Sequence, residues 1–202
     1  MADTGGLPRQ FDPRQQKQTG LDVLRDGLPE LPAALTYNMS VPMAFWAADT
    51  CAVVLFLDFS HHPGVPPTPL AIMGAYYRQD GEWIAERWWT GHGWSPDPVT
   101  DPGSLYDLDG RAIVTSGGSY TDQPGPGRPA VTVVGRVSSV VTALVLIQDG
   151  HEDRRPLRSH FGAWVVCVER WGPFQVNALD EAGTVIGSIT DTPVLPSHRT
   201  GG

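Results

Sequence analysis

From residue 35 to residue 45 apolar side chains fall on every odd position, Leu35, Tyr37, Met39, Val41, Met43 and Phe45, with Thr36, Asn38, Ser40 and Pro42 between them. Alternation with a period of two sends one set to one face of an extended chain, which predicts a half-buried β-strand. Pro42 has no N–H to give to a ladder and puts that strand at a sheet edge or at a bend. The next run, CAVVLFLDF at 51–59, is apolar at consecutive positions, the pattern of a strand covered on both faces. Runs at 70–78 and 82–89 then meet at Asp80-Gly81, the pair a type I′ hairpin turn favours because both central positions need positive φ.

Further strands are predicted at 111–117, 131–137, 140–147, 152–158, 161–169, 174–179 and 184–189, separated by Asp149-Gly150, by Arg170 to Pro173 and by DEAG. Turn signals every 8 to 12 residues between such runs mark antiparallel β-structure. The single helical candidate, 20–28, lies in a polar segment rich in Gln, Pro and Gly that reads as a tail over 1–33. The Pro/Gly run at 122–129 reads as a linker or a long loop between layers. The fold class expected is therefore all-β, an antiparallel β-sandwich in two strand-rich units at 34–121 and 130–192, with a second tail at 193–202. One larger sandwich drawing on both strand sets is the alternative.

Within about residues 130–190, the stretch VSSVVTALVLIQDGHEDRRPLRSHFGAWVVCVERWGPFQVNALDEAGTVIGS resembles the Ig-like or fibronectin-like modules of bacterial proteins, where a D-x-x-G-x-V hairpin closes the last sheet edge. The resemblance implies a sandwich for this unit and brings no functional residue with it. A fainter echo links YDLDGRAIVTSG at 106–117 with ALDEAGTVIGSIT at 178–190, each an acidic turn followed by an apolar strand.

Charge narrows the partners. A formal net charge of −8 sets the summed field against nucleic acids and anionic membranes. Lys17 is the single lysine among 14 cationic side chains, an arginine bias typical of a GC-rich bacterial genome. No apolar run approaches the roughly 18 to 20 residues that span a bilayer, and the first residues lack the pattern of a secretory signal, so a cytoplasmic location is expected. Cys51 and Cys167 both sit in apolar strand-like runs, as buried, reduced thiols would.

Catalytic signatures are missing: no nucleophile elbow, no phosphate-binding loop before a helix, no pair of histidines at helical spacing. No catalytic residue, cofactor or metal is assigned, and the reading leans away from an enzyme. What stands out is ERWWTGHGWSPD at 86–97. With Asp80-Gly81 as the two loop residues, Arg78 opposes Trp83, and the register carried onward sets Ile72 opposite Trp89. One face of the hairpin then gathers Tyr76, Arg78, Trp83, Arg87 and Trp89, with His92 and Trp94 in the loop beyond. Arginine over indole gains about 0.5 to 1 kcal/mol at exposed sites, enough to stiffen a sheet face or to leave it covered by another layer. Trp, Tyr and Arg also dominate binding hot spots. The function expected is a non-catalytic binding module that meets a protein partner through this face, with a carbohydrate as a weaker option. Two alternatives stand: a metal protein or metal-dependent enzyme using His61, His62 and His92 near Asp58, and an assembly subunit joined through strand edges.

Overall fold

A computed structural model describes residues 13–32, 35–36, 39–59, 69–121, 124 and 129–192, with every side chain among them except those of Pro13 and residues 87–92. The described chain is all-β apart from one α-helix and a short 3-10 turn, and its three sheets are antiparallel throughout. Strands β1 (Ser40–Ala47), β2 (Cys51–Asp58), β3 (Leu70–Gln79) and β4 (Glu82–Gly93) form a meander in that order. Strands β5 (Ile113–Tyr120), β6 (Val131–Val137) and β9 (Ala163–Val168) make a three-stranded sheet. The third sheet runs β11-β10-β7-β8, from β7 (Ala143–Gln148), β8 (His151–Pro156), β10 (Phe174–Leu179) and β11 (Val185–Asp191).

β2 is buried at all eight positions, as its unbroken apolar run predicts, because each face has its own cover. Cys51, Val53, Leu55 and Leu57 enter a core shared with β6, β7, β9 and β10, and β9 packs directly on β1 and β2. Ala52, Val54 and Phe56 point the other way, into a second cluster with Ile72, Tyr76 and Val23. Val23 belongs to α1 (Pro13–Asp26), which lies where the sequence suggested mostly tail and only a helical stretch at 20–28. α1 ends at Gly27, whose φ of 92° no β-carbon favours and whose N–H donates to the Val23 carbonyl at 2.9 Å.

α1 approaches the meander closely at Gly20, where a Cβ would lie 1.6 Å from the Tyr76 hydroxyl oxygen. Burial beneath the helix pushes the Tyr76 phenol above its ordinary range. The protonated form is thus favoured in the folded chain, so this contribution to stability is intact below about pH 10 and is lost as the pH rises beyond it. Tyrosinate absorbance of Tyr76 is expected to appear only with unfolding, and Tyr76→Phe to flatten the alkaline fall in urea midpoint. An equally steep fall in that variant would contradict the assignment.

Strict alternation in β1 does not survive. The register shifts between Pro42 and Ala44, so Val41 opposes Leu57 while Ala44 opposes Leu55 and Trp46 opposes Val53. An extra residue reverses the faces beyond it, which takes Phe45 to the helix side and Trp46 to the shared core. Both readings of Pro42 apply, since β1 is an edge strand and bends there. At the bend Ser159 bridges to Ala44, and the His160 N–H donates to the Met43 carbonyl at 2.7 Å.

β5, expected with the first unit, pairs with β6. The 122–129 run therefore joins neighbouring strands of one sheet. Trp164 on β9 closes this sheet from within: fully buried, it donates its indole N–H to the carbonyls of Val114 at 3.0 Å and Arg136 at 3.2 Å. It can do so because position 135 is glycine, where a Cβ would sit 1.9 Å from the Val114 oxygen.

Candidate functional site

The tryptophan-rich hairpin forms with the expected turn, Asp80 and Gly81 at φ of 52° and 88°. Its register also holds from Gln79 opposite Glu82 to Tyr76 opposite Ala85. It then slips by one residue. Ala75 pairs with Arg87, Gly74 with Trp88 and Met73 with Trp89, where unbroken pairing would have set Ile72 opposite Trp89. The sequence does not mark this bulge, since residues 83–89, WIAERWW, carry no alternation that an extra residue would break.

Four of the expected binding residues have described side chains, and Tyr76, Arg78 and Trp83 lie together while Trp94 lies apart from them. Tyr76 is fully buried under α1, and Trp83 packs against the same cluster. Arg78 is exposed, with its guanidinium carbon 5.6 Å from the Trp83 ring centroid. Trp94 is buried in the shared core, its backbone N–H donating to the Pro69 carbonyl at 2.7 Å. In this arrangement neither Tyr76 nor Trp94 stands at the surface. The side chains of Arg87, Trp89 and His92 lie outside the described residues, as do His61 and His62 altogether. Asp58 is buried at the end of β2, and among the described residues no group of three or more His, Cys, Asp or Glu side chains is placed to hold a metal ion.

Aromatic and arginine groups come together elsewhere, between two edge strands. β1 is an edge of the meander and β8 an edge of the third sheet, and a cleft of about 500 Å³ opens between them. Its walls are Ala44 to Ala47 on one side and Asp153 to Arg158 on the other, with Leu144, Trp164 and Val165 also lining it. A second recess of about 450 Å³ continues past Trp46 towards Asp49, Gln148, Glu152 and Glu169. Trp46, Asp153 and Arg155 line both parts.

The pleat of β8 explains why a strand as polar as HEDRRP contributes here. Asp153 opposes Leu146 and Arg155 opposes Leu144, so these two charged residues share the inward face of the sheet with core leucines. Arg155 meets the Asp153 carboxylate with three hydrogen bonds, Nε to Oδ1 and to Oδ2 at 3.0 Å each and Nη2 to Oδ2 at 2.8 Å. Its guanidinium carbon stands 5.1 Å from the centroid of the Trp46 ring. Stacking and fork geometry together fix the guanidinium plane at a half-exposed site. Trp46 is 3 % exposed, and its buried indole N–H has no acceptor among the described residues.

Charge divides the two parts. The first contains the Arg155–Asp153 pair, whereas the Arg154 guanidinium lies on the opposite face of β8 beside Gly183 and that of Arg158 stands beside Gly27 at the end of α1. The second is lined by Asp49, Asp149, Glu152, Asp153 and Glu169, with Arg155, Arg170 and His151. Such a surface can orient a carboxylate on Arg155, with Trp46 buried beneath the guanidinium as its support. It holds no nucleophile paired with a base.

Comparison with known proteins gives no match to a family model, to a curated protein or to a solved structure.

Proposed function

We propose that the chain is a non-catalytic binding module of the bacterial cytoplasm, and that its protein partner docks in the cleft between β1 and β8. The observation that carries this reading is the Trp46–Arg155–Asp153 stack set between two edge strands. Edge strands accept an added strand through their backbone, and an extended segment is the shape that fits between two of them. Arg155 favours a carboxylate side chain on that segment, and Ala47, Pro156 and Leu157 offer apolar surface beside it. The aromatic and arginine chemistry anticipated on the 70–94 hairpin is thereby assigned to a different surface. The strand order β11-β10-β7-β8, with β6 and β9 in a second sheet, supports the Ig-like or fibronectin-like reading of about residues 130–190, and β5, placed with the first unit from the sequence, adds a third strand to that second sheet.

The test uses a fluorescently labelled peptide of alternating glutamate and valine, with a lysine-for-glutamate version as control. Anisotropy is expected to rise with the acidic peptide alone and to weaken with added salt. Arg155→Ala should loosen binding by about tenfold or more, as loss of one charge-assisted hydrogen bond implies, whereas Arg78→Ala on the hairpin should leave it unchanged. Equal binding of both peptides, or binding insensitive to Arg155, would overturn the proposal.

A further inference from the structure

Cys51 and Cys167 lie 116 residues apart in sequence, yet their sulfur atoms are 3.5 Å apart. Cys51 opens β2 and Cys167 is the penultimate residue of β9, so the two thiols meet across the junction of the meander with the three-stranded sheet. Each is 1 % exposed and neither is bonded to another cysteine. The remaining contacts of the Cys167 sulfur are the carbonyls of Cys51 at 3.9 Å and Trp46 at 4.0 Å.

Two recesses nonetheless reach the residues of the pair. Cys167 lines the recess of about 450 Å³ beside Trp46, and Cys51 lines another of about 410 Å³ bounded by Thr50, Pro129, Glu169, Arg170 and Trp171. Glu169 stands over the junction, its Oε1 accepting from the Thr50 N–H at 3.0 Å and from the Thr50 hydroxyl at 2.5 Å. Either recess admits a molecule as small as hydrogen peroxide.

We infer that Cys51 and Cys167 form a reversible disulfide that ties β2 of the meander to β9 of the three-stranded sheet. A disulfide needs its sulfurs at about 2.05 Å, and rotation about the two Cα–Cβ bonds is the movement that closes a 3.5 Å gap. With hydrogen peroxide as oxidant, one thiolate sulfur attacks an oxygen of the peroxide bond, leaving a sulfenic acid and one water. The other sulfur then displaces the sulfenic oxygen as a second water, so two thiols and one peroxide give one disulfide and two waters. A thiol reductant reverses the bond by exchange. Hydrogen bonding to Cys167, and burial after it, hold the Cys51 thiol well above its ordinary range, with Glu169 adding to the same effect. Closure is accordingly slow at neutral pH and faster in alkali.

The full-length protein is treated with excess hydrogen peroxide, quenched and analysed. Intact mass is expected to fall by two hydrogen atoms, free thiols titrated in denaturant to fall from 2 to none, and peptide mapping to show Cys51 joined to Cys167. Because the bond closes a long loop, the oxidised protein should melt about 5–15 °C higher than the reduced one, and dithiothreitol should abolish the difference. Cys167→Ala should keep the reduced protein's melting behaviour and show no shift on oxidation. Two thiols still titratable after treatment, sulfinic acid in place of the crosslink, or disulfide dimers between chains would each overturn the inference. Mapping of the unsubstituted protein decides the matter even if the alanine variant does not fold.

Discussion

Gly135→Ala is expected to cost on the order of 3–5 kcal/mol, a large part of the roughly 5–15 kcal/mol that keeps a domain folded. The new methyl would sit 1.9 Å from the Val114 carbonyl oxygen and 2.7 Å from the Trp164 indole nitrogen. Neither neighbour has room to retreat: the oxygen is fixed in the β5–β6 pairing and the indole is buried on every side. Overpacking alone costs about 1–3 kcal/mol. Displacing the indole also leaves the Val114 and Arg136 carbonyls without the one N–H they share, which adds about 1–3 kcal/mol between them. Urea unfolding measures the sum. Trp164→Phe separates its parts, because it removes the donor and leaves a smaller ring without adding a methyl at residue 135, and should cost about 2–4 kcal/mol. A Gly135→Ala protein as stable as its parent would mean that the clash with Val114 contributes nothing.

The second large effect is one of sign. Replacing glycine by alanine inside an exposed helix ordinarily stabilises by about 1 kcal/mol. For Gly20 the opposite is expected, a net loss of about 1–3 kcal/mol, because the added carbon would stand 1.6 Å from the Tyr76 hydroxyl oxygen and 2.4 Å from its ring. α1 must lift, and with it goes the cover over Val54, Phe56 and Ile72. Dye binding to apolar surface should rise as the urea midpoint falls. Tyr76→Phe in the same chain takes away the nearest atom and should restore part of the loss. A Gly20→Ala protein more stable than its parent would show that α1 does not rest on Tyr76 in solution.

These two glycines also show where sequence reading reaches its limit. Strands were legible where a tight turn names itself, as at Asp80-Gly81 and Asp149-Gly150, both with positive φ at each position, whereas the alternating run at 35–45 predicts a strand that in fact spans Ser40–Ala47. β6 and β10 fall on 131–137 and 174–179 as predicted. α1 was only half visible, because the residues it buries deepest, Gln16, Gly20 and Val23, include one apolar side chain and so write no hydrophobic stripe. Contact is made there by a missing side chain, which periodicity cannot register. The bulges in β1 and β4 were hidden for a related reason: one inserted residue reverses every face after it while leaving composition unchanged. The cleft was invisible altogether. Trp46 and Arg155 are brought together only when β8 is set beside β1, and the HEDRRP strand taken alone reads as a solvated edge.

The meander has a further consequence, for the order in which the protein comes into being. Its strands follow one another in sequence, so hairpin pairing from β1 to β4 can begin as soon as residues 40–93 have emerged from the ribosome, and α1 is already present to cover one side. The other side, with Val53, Leu55, Leu57 and Met73, has to wait for β9. At about 5–20 residues per second that interval lasts several seconds, during which a wide apolar surface of the nascent chain has no native cover. Premature association at this stage is the hazard this topology carries, and a chaperone that shields the meander until β9 arrives is what it would need from the cell.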